Sequence, residues 1–439
     1  MSALLESPTQ PAAAAGAVGP APYRPQPATS FESAGLSPVQ VEALVLKYLL
    51  GVGSASGRQI ADELGMPFAP FPEFLRHLRN QQAVTFSNTA AAGDFVYQLT
   101  DTGRERARKY QEECAYVGTA PVPFADYVNA VLAQSITHEH PQEADLRRAF
   151  SDLLISEAMF ATLGPAINSG RGLFLYGYPG NGKTSIAERI TQCFGTTVWI
   201  PRTLLAEGQI VKLYDPANHE AIRPRRGGLL RQDDQDDRWV EIKRPTIVAG
   251  GELTMESLEI RYDPTTHVSE APLQMKSNNG TFLIDDFGRQ RMQPQELLNR
   301  WIVPLEKRHD YLSLPNGKKI RVPFDQLIIF STNLEPKQLV DEAFLRRIPY
   351  KIQAADPTEP MFRQMFERIA PRLGFERFEP AAIDYLIDKH YHSVGRRFRA
   401  CHPRDLLLQV KNYCTYHGLP LELKPEYLDF AVGNYFTVM

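Results

Sequence analysis

Apolar residues first recur at helical spacing where Val41, Leu44, Val45, Tyr48 and Leu49 share one face, behind Ser37-Pro38 as N-cap and first-position proline. Ser56 through Leu64 predicts a second helix stopped by Gly65, and Phe71 to Gln82 a third with Phe74, Leu75 and Leu78 on one face. The pattern then turns strand-like. Ala83–Phe86 and Phe95–Leu99 read as strands joined by an Asn-Thr-Ala-Ala-Ala-Gly-Asp turn, and Thr100-Asp-Thr-Gly-Arg104 opens another helix. Ahead of these elements, residues 1–35 are rich in Ala, Pro, Ser and Gly and are expected to be disordered. Residues 116–136 read as a linker, Pro-containing up to Tyr127 and helical in pattern from about residue 128. Apolar runs then predict strands at Gly172–Tyr176, within Gly280–Asp286 and at Gln326–Asn333. Asn316-Gly317 predicts a β-hairpin within 310–322, just before the last of these. The final segment reads as helices over Glu359–Leu373, Pro380–His392, Arg404–His417 and Pro425–Tyr435.

A chain of 439 residues is too long for one compact core, so two or three domains are expected. The hydrophobic fraction of 43% and charged fraction of 23% are those of ordinary globular proteins. A net charge of −3 gives no global attraction to nucleic acid or anionic membrane. The four cysteines form no C-x2-C pair, which argues against a zinc site or a disulfide framework. No apolar stretch approaches the roughly 20 residues that span a bilayer, and no basic-then-apolar leader opens the chain. The expectation is a cytoplasmic protein with no direct membrane insertion.

One stretch carries the chemistry. Gly177-Tyr178-Pro179-Gly180-Asn181-Gly182-Lys183-Thr184-Ser185 has the glycine spacing of a phosphate-binding P-loop, between a strand-like run and a helix-like one. Glycines let backbone N–H groups close around phosphate oxygens, Lys183 adds a cation, and Thr184 offers a hydroxyl to Mg2+. The helix that follows turns the positive end of its dipole to the same place. About a hundred residues on, the run Thr281–Ile284 ends in Asp285 and Asp286, a strand delivering carboxylates at its end. A third strand ends in Ser331-Thr332-Asn333, then come Arg346-Arg347 and, much later, His402-Pro-Arg404.

Taken in order, these motifs resemble an AAA+ ATPase from about residue 137 onward. The resemblance implies an α/β P-loop NTPase core over 137–355, with an insertion at 202–279 and a C-terminal helical lid over 356–439. It implies ATP and Mg2+ as cofactors. Lys183 would be the Walker A lysine, Thr184 and Asp285 the metal ligands, and Asn333 the sensor that positions the attacking water. Arg346 or Arg347 would be the arginine finger reaching a neighbouring subunit, and Arg404 the lid's contact to the γ-phosphate. Taken singly, an Asn that ends a strand is more often a turn former, Arg346-Arg347 could be an ordinary solvated pair at a helix end, and Arg404 could merely start a helix. Asp286 departs from the family, which usually carries Glu there as the base acting on water.

The three helices and hairpin over 36–115 resemble a winged-helix domain, whose third helix here offers Arg76, His77 and Arg79. Residues 37–115 hold eight Lys/Arg against nine Asp/Glu, which provides little phosphate neutralisation. Both a protein partner and DNA therefore stay open for this module. The hairpin at 310–322 resembles that of the chaperone and helicase branch, and the layout is similar to predicted ATPases linked to Flp pilus assembly. The implied activity is ATP-driven remodelling of a protein client by a homo-oligomeric ring, expected as a hexamer. The alternatives are a DNA-binding loader or transcriptional regulator and a nucleotide-gated scaffold with weak hydrolysis.

Overall fold

The computed structural model describes residues 23–90, 93–222, 235–339, 342–375 and 380–437. Its centre is a wholly parallel five-stranded sheet of β1 (Leu173–Tyr176), β2 (Thr246–Ala249), β3 (Thr281–Ile284), β4 (Leu327–Thr332) and β5 (Tyr350–Gln353). The order across the sheet is β2-β3-β4-β1-β5. The strands are buried on both faces, which explains why they read as unbroken apolar runs. Leu173, Leu175, Leu283, Leu327 and Ile329 pack on one face against helices Glu143–Ala149, Glu157–Asn168 and Lys183–Thr191. Phe174, Phe282, Ile328 and Phe330 pack on the other with Trp301 and Phe324. In register, Ile284 stands opposite Phe330 and Thr332 opposite Tyr176. The carboxyl ends of β1, β3 and β4 thus share one edge, where open α/β sheets bind ligands. The fold is an α/β P-loop core, followed by the helices Glu359–Arg372, Pro380–Ile387, His402–His417 and Pro425–Tyr435 of a separately packed lid.

The N-terminal elements form as their signals predict. Ser37 caps Pro38–Val52 in a box with Gln40, Ser56 caps Gly57–Leu64 with Gln59, and Thr100 caps Asp101–Glu113. With Phe71–Asn80 they accompany a three-stranded antiparallel sheet ordered Ser54–Ser56, Phe95–Leu99, Val84–Thr89.

Three stretches differ from expectation. Residues 23–35, within the segment 1–35 expected to be disordered, are packed: Phe31 meets Phe71 and Phe74 edge-on, and Ala34 is buried. Two aromatic anchors, Tyr23 against Trp239 and Phe31, outweigh the Ala/Pro-rich composition around them; residues 1–22 lie outside the described residues. Residues 116–136, expected as a linker, hold the strand Val122–Pro123 and the helix Phe124–Ala133. Tyr127 of that helix is buried, its hydroxyl accepting from Asn278 Nδ2 at 2.8 Å. The 202–279 insertion contributes the core's own edge strand, β2, alongside a second five-stranded sheet. That sheet is ordered Arg261–Asp263, Val268–Glu270, Gln209–Lys212, Thr203–Ala206, Val122–Pro123. Most of the insertion's polar loop, 223–234, lies outside the described residues, but Asp236 is buried in an ion pair with Arg238 at 2.7 Å.

The N-terminal module sits directly on this second sheet. Val268 belongs to the module's own core, Ala115 N–H donates to the Thr266 carbonyl at 2.8 Å, and Arg238 Nη1 donates to the Ala34 carbonyl at 2.8 Å. The hairpin His309–Ser313/Lys319–Pro323 forms around Gly317 and buries Leu312, Ile320 and Val322 against the insertion. Lys318 at its tip pairs with Glu207 at 2.6 Å. No helix among the described residues is long and apolar enough to cross a membrane.

Candidate nucleotide site

The loop after β1 is held open by its close neighbours. Gly177 has φ 147, and a Cβ there would lie 2.4 Å from the Ala354 carbonyl oxygen. Gly180 has φ 86, and a Cβ there would lie 2.6 Å from Cys401 Sγ. Only glycine lets the loop pass between β5 and the lid. Asn181 is buried at its crest, and the helix Lys183–Thr191 starts immediately behind it.

Lys183 bends back into this loop. Its Nζ donates to the carbonyls of Gly177 at 2.9 Å and Tyr178 at 3.1 Å, and to Asn333 Oδ1 at 2.7 Å. Burial holds its ammonium below the ordinary lysine value, while Asp285 and Asp286 pull the other way. Thr184 Oγ1 donates to Asp285 Oδ2 at 2.7 Å, and Ser331 Oγ donates to Asp285 Oδ1 at 2.7 Å. Asn333 Nδ2 donates to Asp286 Oδ1 at 3.1 Å. The residues named at the ends of β1, β3 and β4 therefore form one hydrogen-bonded group.

Asp286 has a backbone φ of 49, in the left-handed region. Asp and Asn enter that region more readily than longer side chains. The local backbone thus gives a physical reason for Asp at this position rather than the longer Glu.

A cavity of about 600 Å³ opens over this group, a size suited to a small-molecule ligand. Pro179 through Ser185, Asp285, Asp286, Asn333 and Arg404 line it, so residues far apart in sequence meet as expected. Gly177 and Tyr178 stand behind it: the first lies against Ala354, and the second is exposed under the guanidinium groups of Arg397 and Arg399. Arg404 itself is exposed and pairs with Asp405 at 3.1 Å. Arg346 and Arg347 are not in this cavity. They line a separate cleft of about 530 Å³ with Ser169, Arg171 and Arg308, where Arg347 pairs with Glu306 at 2.6 Å.

The cavity has walls that the motifs did not announce. Leu153, Leu154 and Ile155 form one apolar lip, tied to the P-loop helix by an Asp152–Arg189 ion pair at 2.6 Å. Met365 and Ile369 from the first lid helix form the facing one, with Arg289 and Arg368 at the mouth. The triplet Leu153-Leu154-Ile155 is an apolar run outside any helix, the one sequence signal that could have pointed there.

Thr184 and Asp285 offer hard oxygen donors side by side. Among the described residues no cluster of three or more His, Cys, Asp or Glu could hold a metal by itself. One carboxylate, one hydroxyl and ligand phosphates fit Mg2+, which keeps several waters and seldom uses an all-protein cage.

A family model described as a domain of unknown function, DUF8689, matches residues 358–434, which is most of the lid. No curated protein matches the chain. Among solved structures, NtrX from Brucella abortus is 15% identical with a TM-score of 0.40, over 66% of this chain and 59% of that one. The chain thus spans less than two thirds of the NtrX chain. RuvB from Thermotoga maritima, a Holliday junction branch migration motor, is 14% identical with a TM-score of 0.37, over 67% of this chain and 74% of its own. A complex of the magnesium chelatase subunits BchI and BchD gives 13% and 0.36, over 66% and 94%. The strand order and loop geometry of the core define its fold independently of likenesses of this size.

Proposed function

We propose that this chain is an ATPase of the AAA+ type, working as a homo-oligomeric ring, expected as a hexamer, that remodels a protein partner. One observation carries the reading: Lys183, Thr184, Asp285, Asp286 and Asn333 are bonded to one another at the floor of a single cavity of about 600 Å³. In this reading the P-loop amides and Lys183 bind the phosphates, and Thr184 and Asp285 hold Mg2+. That ion supplies charge neutralisation to the phosphates. Asn333 and Asp286 orient a water, with Asp286 as the base and their mutual hydrogen bond fixing both. Leu153, Ile155, Met365 and Ile369 enclose the apolar base, and Arg404 brings lid charge toward the γ-phosphate. Arg346 or Arg347, outside the cavity in its own chain, would complete the site of an adjoining subunit. Fixed cations aimed at spreading phosphoryl charge supply most of the catalysis in such sites.

The test is phosphate release from ATP by the full chain with Mg2+. Wild type should turn over and Lys183→Ala should not; equal release from both would end the proposal. ATP-dependent ring assembly with background phosphate release would instead favour the scaffold.

DNA remains a second reading because Arg76, His77 and Arg79 stay exposed on Phe71–Asn80, and Arg79 stacks on the exposed Phe86 of the wing. Salt-sensitive retention of duplex DNA by the full chain, lost in Arg76→Ala/Arg79→Ala, would favour it over a protein client.

A further inference from the structure

Where the core hands over to the lid, a single carboxylate oxygen joins three parts of the molecule. Asp356 lies between β5 and the first lid helix. Its Oδ1 accepts Asn181 Nδ2 from the P-loop at 2.8 Å, and the same oxygen accepts Arg399 Nη1 from the lid. The other ends of these side chains are committed too. Asn181 Nδ2 also donates to the Ala354 carbonyl at 3.1 Å, and its Oδ1 accepts the lid's Ala400 N–H at 3.4 Å. The Arg399 guanidinium lies 4.3 Å from the ring centre of Tyr178, the second residue of the P-loop. Cys401 N–H closes the same seam by donating to the Gly180 carbonyl at 2.8 Å.

Neither Asp356 nor Arg399 lines the cavity, yet both touch the loop that does. A polyanion in the loop would therefore feel Arg399 through a short distance and through Asn181. Hydrogen bonds to charged groups at such half-buried seams contribute more than neutral ones.

We propose that Asn181, Asp356 and Arg399 form a clasp that ties the angle of the lid to the filling of the P-loop, with Arg399 a positioning residue for nucleotide binding. The clasp holds the lid over the cavity while phosphates are in the loop. Cutting it loosens nucleotide without removing any group that acts on the reacting atoms. This inference rests on the cavity being a nucleoside triphosphate site.

The experiment titrates a fluorescent ATP analogue, and then steady-state ATP hydrolysis, against full-length wild type, Asp356→Ala, Arg399→Ala, the double variant and Arg399→Lys. Each alanine variant should weaken analogue binding and raise KM by about tenfold, the size of one charged hydrogen bond. kcat should stay within about threefold of wild type, since the transition-state groups are intact. The double variant should be no worse than the worse single one, because both cut the same link. Arg399→Lys should recover part of the affinity, and it keeps the test open if an alanine variant does not fold. Wild-type affinity in both alanine variants, or losses that add in the double variant, would overturn the clasp. If wild type itself binds no analogue and Lys183→Ala behaves identically, the nucleotide reading falls and the clasp with it.

Discussion

Replacing Gly177 by alanine should damage the protein more than replacing Gly182, although both belong to the same loop and both have positive φ. At Gly182, φ is 73 and the space around an added Cβ is empty. Only the left-handed backbone is charged against Gly182→Ala, about 1 kcal/mol. At Gly177 the added Cβ would meet the Ala354 carbonyl oxygen at 2.4 Å. Ordinary carbon–oxygen contacts begin at about 3.3 Å, so close to an ångström must open. Ala354 cannot retreat freely, because its N–H donates to the Tyr176 carbonyl at 2.8 Å and its own carbonyl accepts Asn181 Nδ2 at 3.1 Å. Moving it that far gives up roughly one hydrogen bond, about 1 kcal/mol, on top of about 2 kcal/mol of backbone strain. The gap between the two variants is then about 2 kcal/mol, or roughly 30-fold in an equilibrium constant. Urea unfolding followed by tryptophan fluorescence reads it, with Trp301 fully buried beneath the sheet. Analogue binding should follow the same order. If Gly177→Ala is as stable as Gly182→Ala, then β5 does not confine the loop as the distances say, and the reasoning fails.

Other changes give separate readouts. Asp286→Asn should keep nucleotide binding and slow phosphate release by about 100-fold or more, as for loss of a general base. Asp286→Glu should restore only part of it, because the longer side chain must occupy φ 49; full activity in the Glu variant would count against that account. Arg346→Ala and Arg347→Ala should leave affinity within about threefold, and the one that serves as finger should slow turnover by about 10³. Unchanged turnover in both would remove the finger from this pair. His402 is buried against Tyr391, and burial followed by the charges of Arg399 and Arg396 pushes it down to about 4, from an ordinary 6.5. The unfolded chain then takes up the extra proton, so stability is full above about pH 6.5 and falls toward pH 4, by about 2 kcal/mol at pH 5. His402→Gln should flatten that part of the pH profile in urea titrations; a slope equal to wild type would contradict it.

The floor of the site was legible in the sequence because each of its parts is contiguous and sits at a strand end. Gly177–Ser185, Asp285 and Asn333 announce themselves by residue type and by the apolar runs before them. The walls were not legible. Residues 152–155, 365–369 and 400–401 come together only through tertiary packing, and none has a spacing that chemistry requires. The strand Val122–Pro123 is two residues long and becomes a strand only beside Leu204 and Leu205, so it read as linker. Phe31 was hidden for a related reason: one aromatic in an Ala/Pro-rich stretch has no periodicity, and its weight appears only once Phe71 and Phe74 surround it. Lid helices were read nearly to their ends, since local period and proline positions fix them. The π-turn at Asp388–His392 within that lid gave no signal of its own.

The shared wall between the outer module and the insertion sheet has a mechanical consequence. Val268 completes a core that begins at Ala28, and strand Val122–Pro123 stitches the following segment into the same sheet. A load applied to the outer module would pass to the interior through paired strands and buried side chains instead of stretching a tether.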